Sequence, residues 1–190
     1  VGEEKFKKAM GLYFEKFDGK ACTIEDWLGV FKEISTINID QFLLWYVQKG
    51  RPVLEVSENF ENGKYKLSFI QYFPNQNDKE LVEPMIIPVK ASIYSKDGKE
   101  VISDQLLICD EKESVFDFTG FSEKPITSLL RDFSAPVTLK FQLPIDEGIF
   151  LIRNDSNLFR RWEISQNLSS SAIFDFISFG KEIPFILLKS

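Results

Sequence analysis

Apolar positions along this chain recur at helical spacing, then alternate at strand spacing, then return to helical spacing. Over residues 3–18, Phe6, Ala9, Met10, Tyr13, Phe14 and Phe17 form the single stripe of an amphipathic helix. Glu3 and Glu4 suit the positive end of its dipole, and Gly19 supplies a stop. A second helix is expected from Thr23, an N-cap with Asp26 at the third position of a capping box and Trp27, Leu28, Val30, Phe31 and Ile34 on its apolar face. Asp40 is the expected cap of a third helix that carries Phe42, Leu43, Trp45 and Tyr46 and ends at Gly50. These short helices carry more large aromatics than they can bury among themselves, so they are expected to pack on something further.

From Pro52 the period is two. Residues 53–57 read as a first strand, and Asn62-Gly63 as a hairpin turn before Tyr65, Leu67 and Phe69 share one face. Residues 74–83 form a polar loop. Met85, Ile87, Val89, Ala91 and Ile93 then alternate with polar positions, and Pro88 points to an edge strand or bulge. Asp97-Gly98 marks a tight turn, 100–109, 114–118 and 125–132 are further strands, and Val137, Leu139, Phe141 and Leu143 alternate in the last. Strands joined by turns, with no helical crossover, predict an antiparallel sandwich. Between Pro144 and Gly148 the helical period returns. Leu158, Arg161, Trp162, Ser165 and Gln166 share a register, Ser169 to Ser171 are the expected cap of another helix, and an apolar run occupies 183–188. The fold class is therefore mixed α and β: a central antiparallel Ig-like β-sandwich flanked by N-terminal and C-terminal α-helical segments.

Composition narrows the chemistry. A hydrophobic share of 44% with 19 Phe is ample for a core, and a net charge of −6 gives no electrostatic case for binding nucleic acid or an anionic membrane. No apolar run approaches the roughly 20 residues of a membrane span. A start at Val1 without Met or a leader reads as the middle of a longer chain. Cys22 and Cys109 lack C-x-x-C spacing and fit unpaired thiols in a reducing compartment. The count of zero histidines decides most. Catalytic zinc sites and Ser-His-Asp or Cys-His systems draw on imidazole, so most hydrolytic chemistry is excluded within this chain.

The remaining candidates each have a plainer explanation. Glu3-Glu4 and Glu25-Asp26 are carboxylate pairs, but sequence neighbours do not share a helix face, and helix N-termini explain both. Arg160-Arg161 beside Trp162 suggests an anion contact, whereas ion pairing with Asp155 or Glu163 accounts for it. Asp97-Gly98, Asp110-Glu111 and Asp155 do not make a calcium loop and read as solvated turns. Trp45-Tyr46 could form a sugar platform, but the spacing is that of a buried helix face. No catalytic, cofactor-binding or metal-binding residue is assigned.

Separated blocks of the chain nevertheless resemble one family. They are Gly2-Glu3-Glu4-Lys5-Phe6 with Gly11-Leu12-Tyr13-Phe14 and Asp18-Gly19; Ala21-Cys22-Thr23 through Asp26; Asp40-Gln41-Phe42 to Trp45-Tyr46 with Gln48, Gly50 and Pro52; Ser134-Ala135-Pro136-Val137; and Asn154-Asp155 with Phe159 and Arg161-Trp162-Glu163 through Gln166. In this order they resemble an internal section of bacterial aminopeptidase N, the zinc alanyl aminopeptidases of the gluzincin clan, across about residues 1–166. The resemblance implies that residues 1–51 are the helical end of a catalytic domain, 52–144 an Ig-like domain, and 145–190 the truncated start of a C-terminal helical domain. It also implies a cytoplasmic parent that removes N-terminal residues such as Ala from peptides, using zinc held by an H-E-x-x-H motif upstream of Val1. This section would then hold no cofactor, be inactive alone, and position the C-terminal helices over the active site. Its partners would be the remainder of that chain, with peptide substrate met only by the parent. Leu168 to Ser190 departs from the family pattern. The competing expectations are a free-standing Ig-like binding module and a catalytically dead paralogue.

Overall fold

The computed structural model describes residues 1–74 and 83–182. The expected polar loop lies largely, and the apolar run at 183–188 wholly, outside these residues. The chain divides into two compact units, Val1–Lys49 and Gly50–Ser190.

In the first unit, α1 (Glu3–Phe17) and α2 (Ile24–Ile34) pack around Ala9, Leu28, Val30, Phe31 and Ile39. Tyr13 and Phe31 each meet the Trp27 ring edge-on, 4.9 Å between centroids. The capping box forms as the sequence predicts: Asp26 N–H donates to Thr23 Oγ1 at 3.2 Å, and Thr23 N–H to Asp26 Oδ2 at 3.0 Å. The third helix differs from expectation. It is two single turns, α3 (Ile39–Phe42) and α4 (Leu44–Val47), capped by Asn38 rather than Asp40. Asp40 instead takes Lys32 Nζ at 2.6 Å. Tyr46 stays 51% exposed, so it is not core. Phe6 and Phe14 are exposed too, in keeping with a helical cluster that cannot bury its own aromatics.

The second unit begins with a four-stranded sheet in the order β5-β2-β1-β7, formed by β1 (Val53–Glu61), β2 (Lys64–Tyr72), β5 (Glu113–Thr119) and β7 (Thr138–Phe141). Asn62 (φ 51) and Gly63 (φ 74) make the hairpin turn whose two left-handed residues match strand twist. The other sheet has three strands, β4-β3-β6, from β3 (Ile87–Tyr94), β4 (Glu100–Cys109) and β6 (Ile126–Leu129). The sandwich is as the alternation predicts, with two refinements. β1 and β7 pair in parallel, joining Val53–Val56 to Thr138–Phe141. And β3, which carries Pro88, is the central strand rather than an edge. It tolerates the missing amide because β6 pairs only with Ala91–Tyr94, leaving that side of Pro88 open.

Along β3 the alternation fails at its far end, where Ala91, Ser92, Ile93 and Tyr94 are all buried. The reason is a third layer. Helices α5 (Ile145–Asn154) and α6 (Leu158–Phe179) cover the outer face of this sheet, packing Leu151 and Ile164 on Tyr94 and Ile126. Gly148 lets them approach closely, since a Cβ there would stand 2.8 Å from Leu168 Cδ1. α6 runs unbroken through Ser169–Ser171, so no new helix is capped there. It ends at left-handed Gly180 (φ 63).

Candidate functional site

Where the helix pair leaves the sandwich, the chain buries charge. After β6 it turns through Leu130 (φ 55), Asp132 (φ 55) and Phe133 (φ 52). With Asp104 (φ 47), these are four of the five non-glycine left-handed residues among those described. Such conformations cost on the order of 1 kcal/mol or more each and persist only where the surroundings over-determine them. What over-determines them is Arg131, 2% exposed at their centre.

Nη1 of Arg131 donates to Asp104 Oδ1 at 2.6 Å, Glu100 Oε1 at 2.9 Å, and Ser92 Oγ. Nη2 donates to Ser156 Oγ at 2.5 Å and lies 3.2 Å from Asp155 Oδ1. One guanidinium thus ties β3, β4 and the elbow between α5 and α6. β4 reaches it through a bulge: Ala91 faces Gln105 while Ile93 faces Ile102, and the extra residue lies beside the exposed Asp104, whose carboxylate meets Arg131. Asp155, the C-cap of α5, is fully enclosed. Its carboxylate also accepts from Tyr94 Oη at 3.1 Å, Ser128 Oγ at 2.5 Å and Asn157 N–H at 2.8 Å. Asn157 caps α6 by accepting from Arg160 N–H at 2.9 Å, and its Nδ2 donates to Asp132 Oδ1 at 2.5 Å. Lys90 Nζ closes the outer side on Asp132 at 2.6 Å.

The electrostatics follow from this enclosure. Hydrogen bonds from Lys90 and Asn157 hold the Asp132 carboxyl below its ordinary range. Partial burial would raise Glu100, but hydrogen bonds from Ser92 and Ser156 and the Arg131 charge outweigh it, and the net shift is downward. Two further clamps serve the same layers. Lys124 bridges Glu58 of β1 at 2.5 Å and Glu147 of α5 at 2.9 Å. Tyr65 Oη joins Glu58 at 2.6 Å and Thr127 of β6 at 2.7 Å, linking the two sheets, and burial first, with Glu58 second, drives its pKa far up. These groups bond chiefly to one another, while Arg131 Nε stays buried without a hydrogen-bond partner.

The sequence candidates are dispersed. Glu3 pairs with Lys7 at 2.6 Å, and Asp26 serves the capping box. Arg160 pairs with Glu163 at 2.6 Å, as the i,i+3 spacing predicts, and Arg161 Nε donates to the Ile152 carbonyl at 2.6 Å. Asp97 closes its turn by accepting from Ser95 and from Lys99 N–H. The Glu111 carbonyl accepts from buried Gln71, which also holds Met85. Asp155 corrects the sequence reading: it is a buried member of the cluster, not a solvated turn. Cys22 and Cys109 are both free, and burial pushes the Cys109 thiol up to about 12. Arg131 was invisible to pattern reading because a lone arginine after an apolar strand end carries no signature. The one hint was Ser134-Ala135-Pro136-Val137 beside it.

Zinc does not fit these residues. The chain has no histidine, and among the described residues no three of the Cys, Asp and Glu side chains gather where one ion would bind. Nor is any helix among them long and apolar enough to cross a membrane.

Residues 50–142 match a family described as a domain of unknown function (DUF3458) with an Ig-like fold. Aminopeptidase N of Escherichia coli (strain K12) is 32% identical over 182 residues, 91% of this chain, and that of Haemophilus influenzae 34% identical over 178 residues, 88% of this chain. The chain is homologous to a section of bacterial aminopeptidase N. The Caulobacter vibrioides aminopeptidase N, 31% identical over 175 residues, agrees. The crystal structure of Legionella pneumophila aminopeptidase A in complex with aspartic acid superposes on 97% of this chain with a TM-score of 0.86 and 32% identity. The homology to aminopeptidase N is partial on the other side. The chain spans only about a fifth of these relatives, 20–21% of each.

Proposed function

We propose that this chain is the linking section of a zinc-dependent aminopeptidase N that removes N-terminal residues, Ala among them, from peptides. Residues 1–51 end its catalytic domain, 52–144 form the sandwich, and 145–190 begin the C-terminal helical domain that the sandwich positions over the active site. The remaining parts of that enzyme are its partners, and zinc and peptide belong to them, in a cytoplasm whose reducing conditions suit two free thiols. The observation that carries this reading is the match of 88–91% of the chain to enzymes five times its length. The cluster at Arg131 supports it, because a linker must transmit a fixed direction and this one holds its helix pair by buried charge. The test is an assay of the 190-residue chain against an alanyl arylamide with added zinc. Only background hydrolysis is expected; turnover above background would overturn the assignment of a non-catalytic section.

A further inference from the structure

The sandwich and the helix pair share an apolar contact through Tyr94, Ile126, Leu151 and Ile164, which is non-directional and tolerates sliding. Polar contacts add a directional restraint at the elbow from which α6 departs. The loop 130–133 adopts its left-handed backbone while Asn157 holds Asp132 from both ends of its amide and the Phe133 ring meets Phe159, 6.0 Å between centroids. The elbow at Asp155–Asn157 is in turn held through Arg131 by β3 and β4. Loop and elbow therefore depend on each other, and the guanidinium fork is the part common to both. Its two ends serve different elements, Nη1 the sheet and Nη2 the elbow, an arrangement that a single ammonium cannot reproduce.

We propose that Arg131 is a positioning residue: it sets the direction in which α6 leaves the elbow that follows α5, and thereby the access of longer peptides to the active site of the parent enzyme. The second half rests on the linking function proposed above; the first half does not. The variant to use is Arg131→Lys, which keeps the buried charge and removes the fork. In the 190-residue chain, amide exchange across α5 and the first half of α6 should quicken by about tenfold or more while β1, β2 and β5 keep their protection. Unchanged exchange in α6, or equal loss in every strand, would overturn the positioning role. In the full-length enzyme, kcat/KM for an octapeptide should rise roughly threefold through KM, with the alanyl arylamide unaltered. Equal changes for both substrates, or none, would overturn the role in access. A wild-type parent that cleaves neither substrate would instead sink the aminopeptidase reading, and the exchange result would still decide whether Arg131 orients the helices.

Discussion

Individual residues here act less by volume than by which neighbours they bind. Tyr65 is wholly buried on β2, and its hydroxyl spans to Glu58 and Thr127. Tyr65→Phe keeps the ring and leaves Thr127 and the part-buried Glu58 short of a partner. It should destabilise the sandwich by about 1–3 kcal/mol, read as a lower urea midpoint at constant slope. From the sequence, Tyr65 shares one face with Leu67 and Phe69, and the structure buries that face. That its hydroxyl would stitch two sheets together was not legible, because Thr127 lies sixty-two positions away. Asp155 and Arg131 teach the same lesson more sharply. Charged side chains usually sit in water, so a pattern of polarity places them there by default. Only a partner from another element reverses that default.

At the scale of elements, short-range chemistry was readable where its partners are short-range. The capping box needs only Thr23 and Asp26, and both hydrogen bonds form. Thr23→Ala should cost about 1 kcal/mol, seen as faster amide exchange in the first turn of α2. The hairpin at Asn62-Gly63 and the strand at 100–109 follow the same logic. Misreadings arose where an element's identity depends on what covers it. Ser169–Ser171 resemble a cap in isolation, but the α5–α6 contact, with Leu168 against Gly148, carries the helix through them. Pro88 reads as an edge or bulge signal, yet β3 is central between β4 and β6, and Pro88 is tolerated there because β6 is too short to reach it. Asp40 lost its capping role to Asn38, two residues earlier, and pairs across to α2 instead.

For the molecule as a whole, the junction between sandwich and helix pair is where acid should act first. Glu100 and Asp132 have carboxyls held below their ordinary range, so each contributes stability in full above its unfolded pKa of about 4 and loses it as pH falls through the lower folded value. Lys90 and Arg131 face them, with Asp104 and Asp155 sharing the same cations. Below about pH 4 the amides of Asn157 and Arg160 should lose protection before those of β1 and β2. Simultaneous loss across both regions would show that the cluster adds no separate stability. At this scale too, the exposed Phe174, Phe176 and Ile177 of α6 accord with a section of a larger assembly.

The chain's own order of residues determined the succession of helical and strand segments, their caps and turns, and the absence of an imidazole-based centre, since these depend on periodicity, local hydrogen bonding and composition. Folding in three dimensions decided which strand is central, that β7 returns parallel to β1, and that Arg131 and Asp155 meet in the interior. The physical reason is that a buried charge is tolerable only beside its counter-charge, and the charged groups of this cluster come from four separate stretches of the chain that converge once the helix pair covers the sheet.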